Sequence, residues 1–488
     1  MINDEKGVTF KGVLLRIASF LKPKKDTDMT QGSIIMQLLT FSVPMMLGLL
    51  FQQLYSTVDA LVVGKFVGPV ALAAVGCNSS LINTVVGTFA GLATGASVVI
   101  SQAYGAHDDD ALSRAVHTTI AMTFILCLAG TAIGLIAAEP LLKLSNLTDP
   151  DVKREALKYL RIYFAGVSGL MIYNMGTGIL RAVGDSTRPV LFLIISAIIN
   201  TVLDLLFVLA FKMEVAGVAL ATIVSQLISA VLVLVTLLKS NDAYCLRLSK
   251  LRLHKDMIKR IVALGLPASI QSAITSFSNV FVQSYINSLN TYGIAGWTAY
   301  NRLDAFLVVP VQAIAMASTT LVAQNWGAGK YKRAKEGTNK AILLSVGVTV
   351  FLSVFMVLLA EPLVGIFAKK SDEGYVEVIR HGAYFVRVIT PFYFTICFNQ
   401  IYAGALRGIG KSVAPTVIML SSFVVFRQIY LFIFGRLLYK GSELVIALAY
   451  PLGWTVCSIL LIIFYLSSEL AKGRSDDMKL SPADTENT

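Results

Sequence analysis

Gln102-Ala103-Tyr104-Gly105-Ala106 returns, about 222 residues later, as Gln324-Asn325-Trp326-Gly327-Ala328. Leu180-Arg181-Ala182-Val183-Gly184 returns as Leu406-Arg407-Gly408-Ile409-Gly410 at nearly the same offset. Pro44 matches Pro267, Glu139-Pro140 matches Glu361-Pro362, and Pro189 matches Pro415, all in the same order. One such match is weak. Five in order, each at the same place relative to its apolar run, mark a duplicated chain.

What is duplicated is a set of membrane helices. Of the 488 residues 56% are hydrophobic and only 14% charged, whereas soluble proteins carry about 25% charged residues. The mean hydropathy is +0.71. So few polar residues cannot cover a water-facing surface. A spanning helix needs about 20 apolar residues, and twelve runs qualify: 34–62, 70–100, 115–138, 156–180, 189–211, 216–238, 261–288, 293–322, 340–360, 382–406, 414–437 and 444–468. They are too long and too uniformly apolar for the alternating segments of about 10 residues in a membrane β-barrel. The first 30 residues are polar, so no cleavable signal peptide is expected.

The expected fold is therefore all-α and integral to the membrane, with twelve transmembrane helices as two pseudo-symmetric six-helix bundles. An N-terminal lobe covers 34–238 and a C-terminal lobe 261–468, with a basic linker at 239–260, an N-terminal arm at 1–33 and a tail at 469–488. Six is even, so both halves enter the membrane in the same orientation. That is the parallel-repeat plan of transporters that rock two bundles about a central cleft.

The net charge of +12 suggests nucleic acid until it is located. With twelve spans, 26 Lys and Arg fall on the side of the termini and 10 on the other. The larger group includes the 239–260 linker, the loop after the eighth span, and the Arg of both Leu-Arg-x-x-Gly motifs. The charge is thus topological: both termini are expected in the cytoplasm, the chain in the cell membrane, and no nucleic-acid partner. The five Cys have no metal or redox spacing and read as small apolar fillers.

A carboxylate at bilayer depth costs about 2.5–3.5 kcal/mol on insertion scales, so the polar groups inside spans point to a task. Gln52, Tyr55 and Asp59 share one face of the first span, with Pro44 upstream expected to kink or loosen that helix. Asn200 and Asp204 are four apart on one face of the fifth span, and Thr222 adds a hydroxyl from the sixth. Such oxygen ligands suit a hard cation. Two plainer readings stay open: Asp59 solvated near Lys65 at a helix end, and Asn200–Asp204 serving only to join helices.

The stretch Gln52-Gln53-Leu54-Tyr55-Ser56-Thr57-Val58-Asp59-Ala60-Leu61-Val62-Val63-Gly64 resembles the first helix of the MATE (multidrug and toxic compound extrusion) transporters. Gln324-Asn325-Trp326-Gly327-Ala328-Gly329, with Lys332-Arg333-Ala334 after it and the paired Leu-Arg-x-x-Gly motifs, resembles them too. The likeness covers roughly 30–470 and is nearest the DinF-related branch. It implies export of organic, often cationic or amphipathic, small molecules in exchange for H+ or Na+, by alternating access and without a cofactor. It also implies that Asp59, Asn200, Asp204 and Thr222 form the proton or cation site, with Na+ the one metal in question. NorM-like members carry a Glu in the seventh helix and an Asp in the tenth. Here the seventh span has Gln271, Ser272, Thr275, Ser276 and Asn279, and the tenth has Asn399 and Gln400.

The cleft between halves is expected to use Met45, Met46, Gln52, Tyr55, Tyr173, Asn174, Met175, Phe277, Phe281 and Arg302. Flexible Met and aromatic faces suit amphipathic cargo. Arg302 and Asp304 lie two apart on a helix and so face different sides; with Arg427 they read as rim anchors, and Arg387 is ambiguous. Gly166-Val167-Ser168-Gly169 resembles a rhomboid-type protease motif, but His107, His117, His254 and His381 all fall at loops or span ends, so no enzyme is expected. No Walker A run appears. The rival reading is a lipid-linked oligosaccharide flippase of the same superfamily, which would use Arg302, Arg387 and Arg427 to hold pyrophosphate. A monomer is expected.

Overall fold

A computed structural model describes residues 28–144, 149–367 and 374–473. Of the expected arm and tail, only 28–33 and 469–473 fall within that range. The described residues are helical, with no strand among them.

In the first half the helices are α1 (Ile34–Val62), α2 (Pro69–Gly105), α3 (Asp109–Leu144), α4 (Pro150–Ala165), α5 (Val167–Ala182), α6 (Thr187–Leu205) and α7 (Glu214–Leu238). In the second they are α8 (Lys255–Ile286), α9 (Thr291–Gly327), α10 (Tyr331–Leu358), α11 (Ala360–Gly365), α12 (Tyr375–Ile389), α13 (Tyr393–Gly408), α14 (Val413–Leu420), α15 (Arg427–Tyr430), α16 (Glu443–Ser467) and α17 (Glu469–Lys472). Among the described residues, ten helical segments are long and apolar enough to cross a membrane. Large side chains face outward along them: Leu128 and Ile136 of α3 are each 78% exposed, and Phe351 of α10 is 71% exposed. In water such a surface would aggregate; in lipid it is ordinary.

The fourth and tenth spans are not single helices as expected. The fourth divides at Gly166 into α4 and α5, and a Cβ on Gly166 would meet the Ile223 side chain at 2.2 Å. Its α4 portion carries charges, with Arg154 bridging Asp151 and Arg161 bridging Glu139. The tenth divides at a 3-10 turn, Thr390–Phe392, where Pro391 supplies no backbone N–H. Three further spans pass into π-helical turns: Val63–Val67 after α1, Leu206–Ala210 after α6, and, in the eleventh span, Ser421–Phe426 after α14 and Leu431–Leu438 after α15. By contrast, α1 runs through the buried Pro44 as one helix.

The repeated motifs close one end of the molecule, the end bearing the basic loops. Gln102 donates its amide to the Gly408 carbonyl at 2.8 Å, and its counterpart Gln324 donates to the Ala182 carbonyl at 2.8 Å. Each thus reaches into the Leu-Arg-x-x-Gly motif of the opposite half. The Gln102 oxygen accepts from Arg260 at 3.0 Å, just as that of Gln324 accepts from Met29 N–H at 2.9 Å. Between them Gly105 and Gly327 bring two backbones together. A Cβ on Gly105 would lie 1.9 Å from the Gln324 carbonyl oxygen, and one on Gly327 2.0 Å from that of Gln102. The same close approach continues inward, Gly95 against Gly265 and Gly91 against Ser269. Gly184 and Gly410, at φ +90 and +92, terminate the two Leu-Arg motifs in the left-handed conformation.

Packing also crosses between halves. Ala93–Met122 and Met175–Val183 form one core with Met257, Ile261 and Leu264. The start of α1, with Phe41 and Met45, packs on Ala313–Leu321 of α9, while Gly48 meets Val190 of α6. The linker is pinned rather than loose: Tyr244 and Leu246 are buried, and His117 accepts from Arg247 N–H at 3.0 Å.

Candidate cation site and adjoining cavities

Within the first half, α1, α6 and α7 bring Asp59, Asn200, Asp204 and Thr222 together. Asn200 and Asp204 are fully buried, Thr222 nearly so and Asp59 partly. The Asn200 amide, oriented by its hydrogen bonds, donates to Asp59 Oδ1 at 2.9 Å and accepts from Thr222 N–H at 3.2 Å. The Asp204 carboxyl lies against that of Asp59, close enough for the two to share a proton. A carboxyl–carboxyl hydrogen bond needs one shared proton, and without it the two like charges need a cation between them. Asp204 Oδ1 is buried with no hydrogen-bond partner. The Thr222 hydroxyl donates to the Val218 carbonyl at 3.0 Å, which leaves its oxygen as an acceptor. This donor set suits either a proton or a small hard cation. Among the described residues no group of three His, Cys, Asp or Glu side chains could hold a metal ion.

Sequence reasoning missed the shell around this cluster. Tyr159 of α4 stands beside Thr222, and its ring stacks on Tyr163 at 6.3 Å. Tyr163 in turn stands beside Gln226 of α7. The signal was Tyr159 and Tyr163 at i and i+4, one helix face. The two π turns that follow Asp59 and Asp204 touch each other, and such turns recur at functional sites.

Two cavities lie between the cluster and the basic end, neither lined by a cluster residue. The first, about 400 Å³, lies in the first half and is lined by Met45, Gln52, Tyr173, Asn174 and Gln226, with Met316 from α9. Gln226 therefore links its wall, through Tyr163 and Tyr159, to Thr222 and the carboxyl pair. The second, about 240 Å³, lies between the halves and is lined by Arg181, Arg407, Gln312 and Gln400 among others. Thr94, Arg181 and Met316 line both, so the two are neighbours. Among the described residues, no Asp or Glu lines either.

The remaining expected cleft residues stand elsewhere. Met175 is 2% exposed in the core, because two residues on from Tyr173 a helix has turned about 200°. Met46 is partly buried against the cluster around Phe41. Phe277 and Phe281 are exposed on α8 and pack edge to face at 5.2 Å, and Arg302 is exposed on α9, all outside both linings. The Tyr55 side chain lies outside the described residues.

Arg427 is not a rim residue. It is 5% exposed, donates to Ser278 Oγ at 3.0 Å and Asn279 Oδ1 at 2.8 Å, and lies over the Tyr450 ring at 5.1 Å. Asp304 accepts from Tyr300 at 3.4 Å, and Tyr300 also meets the Tyr393 hydroxyl. Arg387 pairs with Glu361 at 2.8 Å on the surface.

The MatE family profile matches residues 44–206 and again 267–433, once in each half. The chain is 29% identical over 428 residues to the probable multidrug resistance protein YpnP of Bacillus subtilis, covering 87% of this chain and 94% of that one. It is 25% identical to the FAD transporter of Shewanella oneidensis, covering 79% and 85%. Among solved structures, the outward-facing form of a multidrug resistance MATE transporter superposes with TM-score 0.84 at 24% identity, covering 93% of this chain and 99% of the other.

Proposed function

From the premise that the chain belongs to the MatE family of multi-pass membrane transporters, we propose that it is an antiporter exporting an amphipathic organic compound in exchange for H+ or Na+. Asp59, Asn200, Asp204 and Thr222 form the coupling site. The observation that carries this reading is the buried contact of Asp204 with Asp59, bridged by the Asn200 amide to α7. A structural helix joint would need only one carboxylate and a donor; a facing pair responds to the arrival and departure of a positive charge.

In this scheme the clasp of Gln102 and Gln324 holds the basic end shut while the far end is accessible. A proton or Na+ entering the pair changes how α1 packs on α6 and α7. The chain Thr222, Tyr159, Tyr163 and Gln226 carries that change to the cavity wall. Coupling follows if ion and cargo bias the same equilibrium oppositely. The lobes are 34–238 and 261–468, rocking about the 239–260 linker. The charge asymmetry puts both termini in the cytoplasm, and each chain works as a monomer in the cell membrane.

The relatives' names cover drugs in one case and FAD in another, so the family alone does not fix the charge of the cargo. The rival, a flippase for pyrophosphate-linked lipids, draws nothing from Arg302, Arg387 or Arg427, which line neither cavity; its support is Arg181 and Arg407. Transport into everted vesicles under separate pH and sodium gradients tests the antiport reading. Asp59→Asn and Asp204→Asn should each abolish gradient-driven uptake, and undiminished uptake in both would sink it.

A further inference from the structure

We propose that Arg181 and Arg407 form an anion-binding subsite at the inner end of the cleft, and that the cargo is an amphipathic organic anion bearing a phosphate or carboxylate. The proposal deepens the transporter reading and rests on it for the word cargo. The two arginines come from matching positions of the duplicated motif and approach one cavity of about 240 Å³ from opposite halves. A guanidinium has five N–H donors and no acceptor. Among the described residues neither of these two meets a carboxylate, and no side-chain hydrogen bond leaves either. Arg407 Nε is buried without a partner. Other arginines in this chain are engaged: Arg427 by Ser278 and Asn279, Arg387 by Glu361, Arg188 by Asp185.

The plain alternative is that each arginine answers the partial negative charge at its own helix end, α5 or α13. That role needs no shared cavity and no convergence of two halves. The rest of the lining also suits an anion. Gln312 and Gln400 add amide donors and Thr320 a hydroxyl, and among the described lining residues no carboxylate is present to neutralise a cation.

Beside this polar pocket the cavity of about 400 Å³ offers Met45, Leu49, Leu170, Val190 and Leu193 to an apolar body. Arg181 stands where the two meet. Charged group and hydrophobic body thus have separate, adjoining places. The coupling carboxyls are remote from this anion subsite. Asp204 is near the far end of α6 and Arg181 is beside its start, roughly 25 Å apart at the rise of a helix. Ion and cargo therefore need not compete for one charge.

The test is equilibrium binding to the purified full-length protein without any ion gradient, read by fluorescence anisotropy of carboxyfluorescein and of rhodamine 6G. Carboxyfluorescein should bind, and dodecyl phosphate should displace it while dodecyltrimethylammonium does not. Arg181→Gln and Arg407→Gln should each weaken it about tenfold or more, the scale of one charge-assisted hydrogen bond, and Arg407→Lys should restore part. A wild-type protein that binds only the cationic dye overturns the proposal, whether or not the variants fold. So does unchanged carboxyfluorescein affinity in the folded Arg181→Gln, Arg407→Gln double variant. Undecaprenyl phosphate in the vesicle membrane, if it competes, identifies a lipid-borne anion; if it does not, the anion is soluble, and both results uphold the subsite. Anion binding without gradient-driven transport defeats the antiport reading alone. Gradient-driven export of rhodamine 6G with no anion binding defeats this proposal alone.

Discussion

Replacing Gly105 or Gly327 with alanine adds a single methyl group at the point where the two halves touch. In the closed arrangement that methyl would sit 1.9 Å from the Gln324 carbonyl oxygen, or 2.0 Å from that of Gln102. Both obstacles are backbone, so no rotamer change relieves them. An ordinary contact needs about 3.4 Å or more, and the helices must part by over an ångström. That separation stretches the clasp bonds of Gln102 and Gln324, now 2.8 Å. Overpacking of this kind costs about 1–3 kcal/mol, and each 1.4 kcal/mol is a factor of ten in population. The equilibrium should therefore shift about 5- to 150-fold toward forms open at the basic end. Spin labels at Ala106→Cys and Ala328→Cys, in a background lacking the native cysteines, would report the change by pulsed electron paramagnetic resonance. The control is Gly347→Ala, where a Cβ meets nothing within 4 Å. Unaltered distance distributions in the Gly105→Ala and Gly327→Ala proteins would refute the assignment of the repeated motifs to a closed gate.

Gln226→Leu should leave cargo binding measurable but reduce its dependence on the coupling ion at least threefold, as seen by binding titrations across pH and sodium concentration. Arg427→Met should lower the thermal midpoint in detergent by several degrees, because Ser278 and Asn279 lose a buried partner worth about 1–3 kcal/mol. Arg387→Ala removes a pair whose side chains are about half exposed; such pairs contribute under about 1 kcal/mol, so thermal midpoint and transport should both stay at wild-type values.

The repeated motifs could be read from the sequence, but not their purpose. Gln102 finds its partner at Gly408 and Gln324 at Ala182, pairs set by how the halves dock rather than by local spacing. Asn200 and Asp204 were legible because four residues make one turn of helix. Tyr159 and Tyr163 were not, since an aromatic inside an apolar run looks like packing until its hydroxyl is followed. In the sequence Arg181 and Arg407 read only as charge on the basic side. They lie in the last turns of α5 and α13, and only the fold brings them to one pocket. The breaks at Gly166 and Pro391 were passed over because hydropathy sees composition and not continuity. The cleft expected from scattered Met and Phe became a cavity largely within one half, because the lining follows the α5 face of Leu170, Tyr173, Asn174, Thr177 and Arg181.

Efflux from proteoliposomes under an imposed pH gradient, and separately under a sodium gradient, bears most directly on the central claim that the first half couples an ion to cargo movement. One of the two gradients should drive transport in the wild type and fail to do so in Asp59→Asn, Asp204→Asn and Asn200→Ala proteins of unchanged thermal midpoint. Transport that proceeds at the wild-type rate in these variants, or that neither gradient drives, would contradict it.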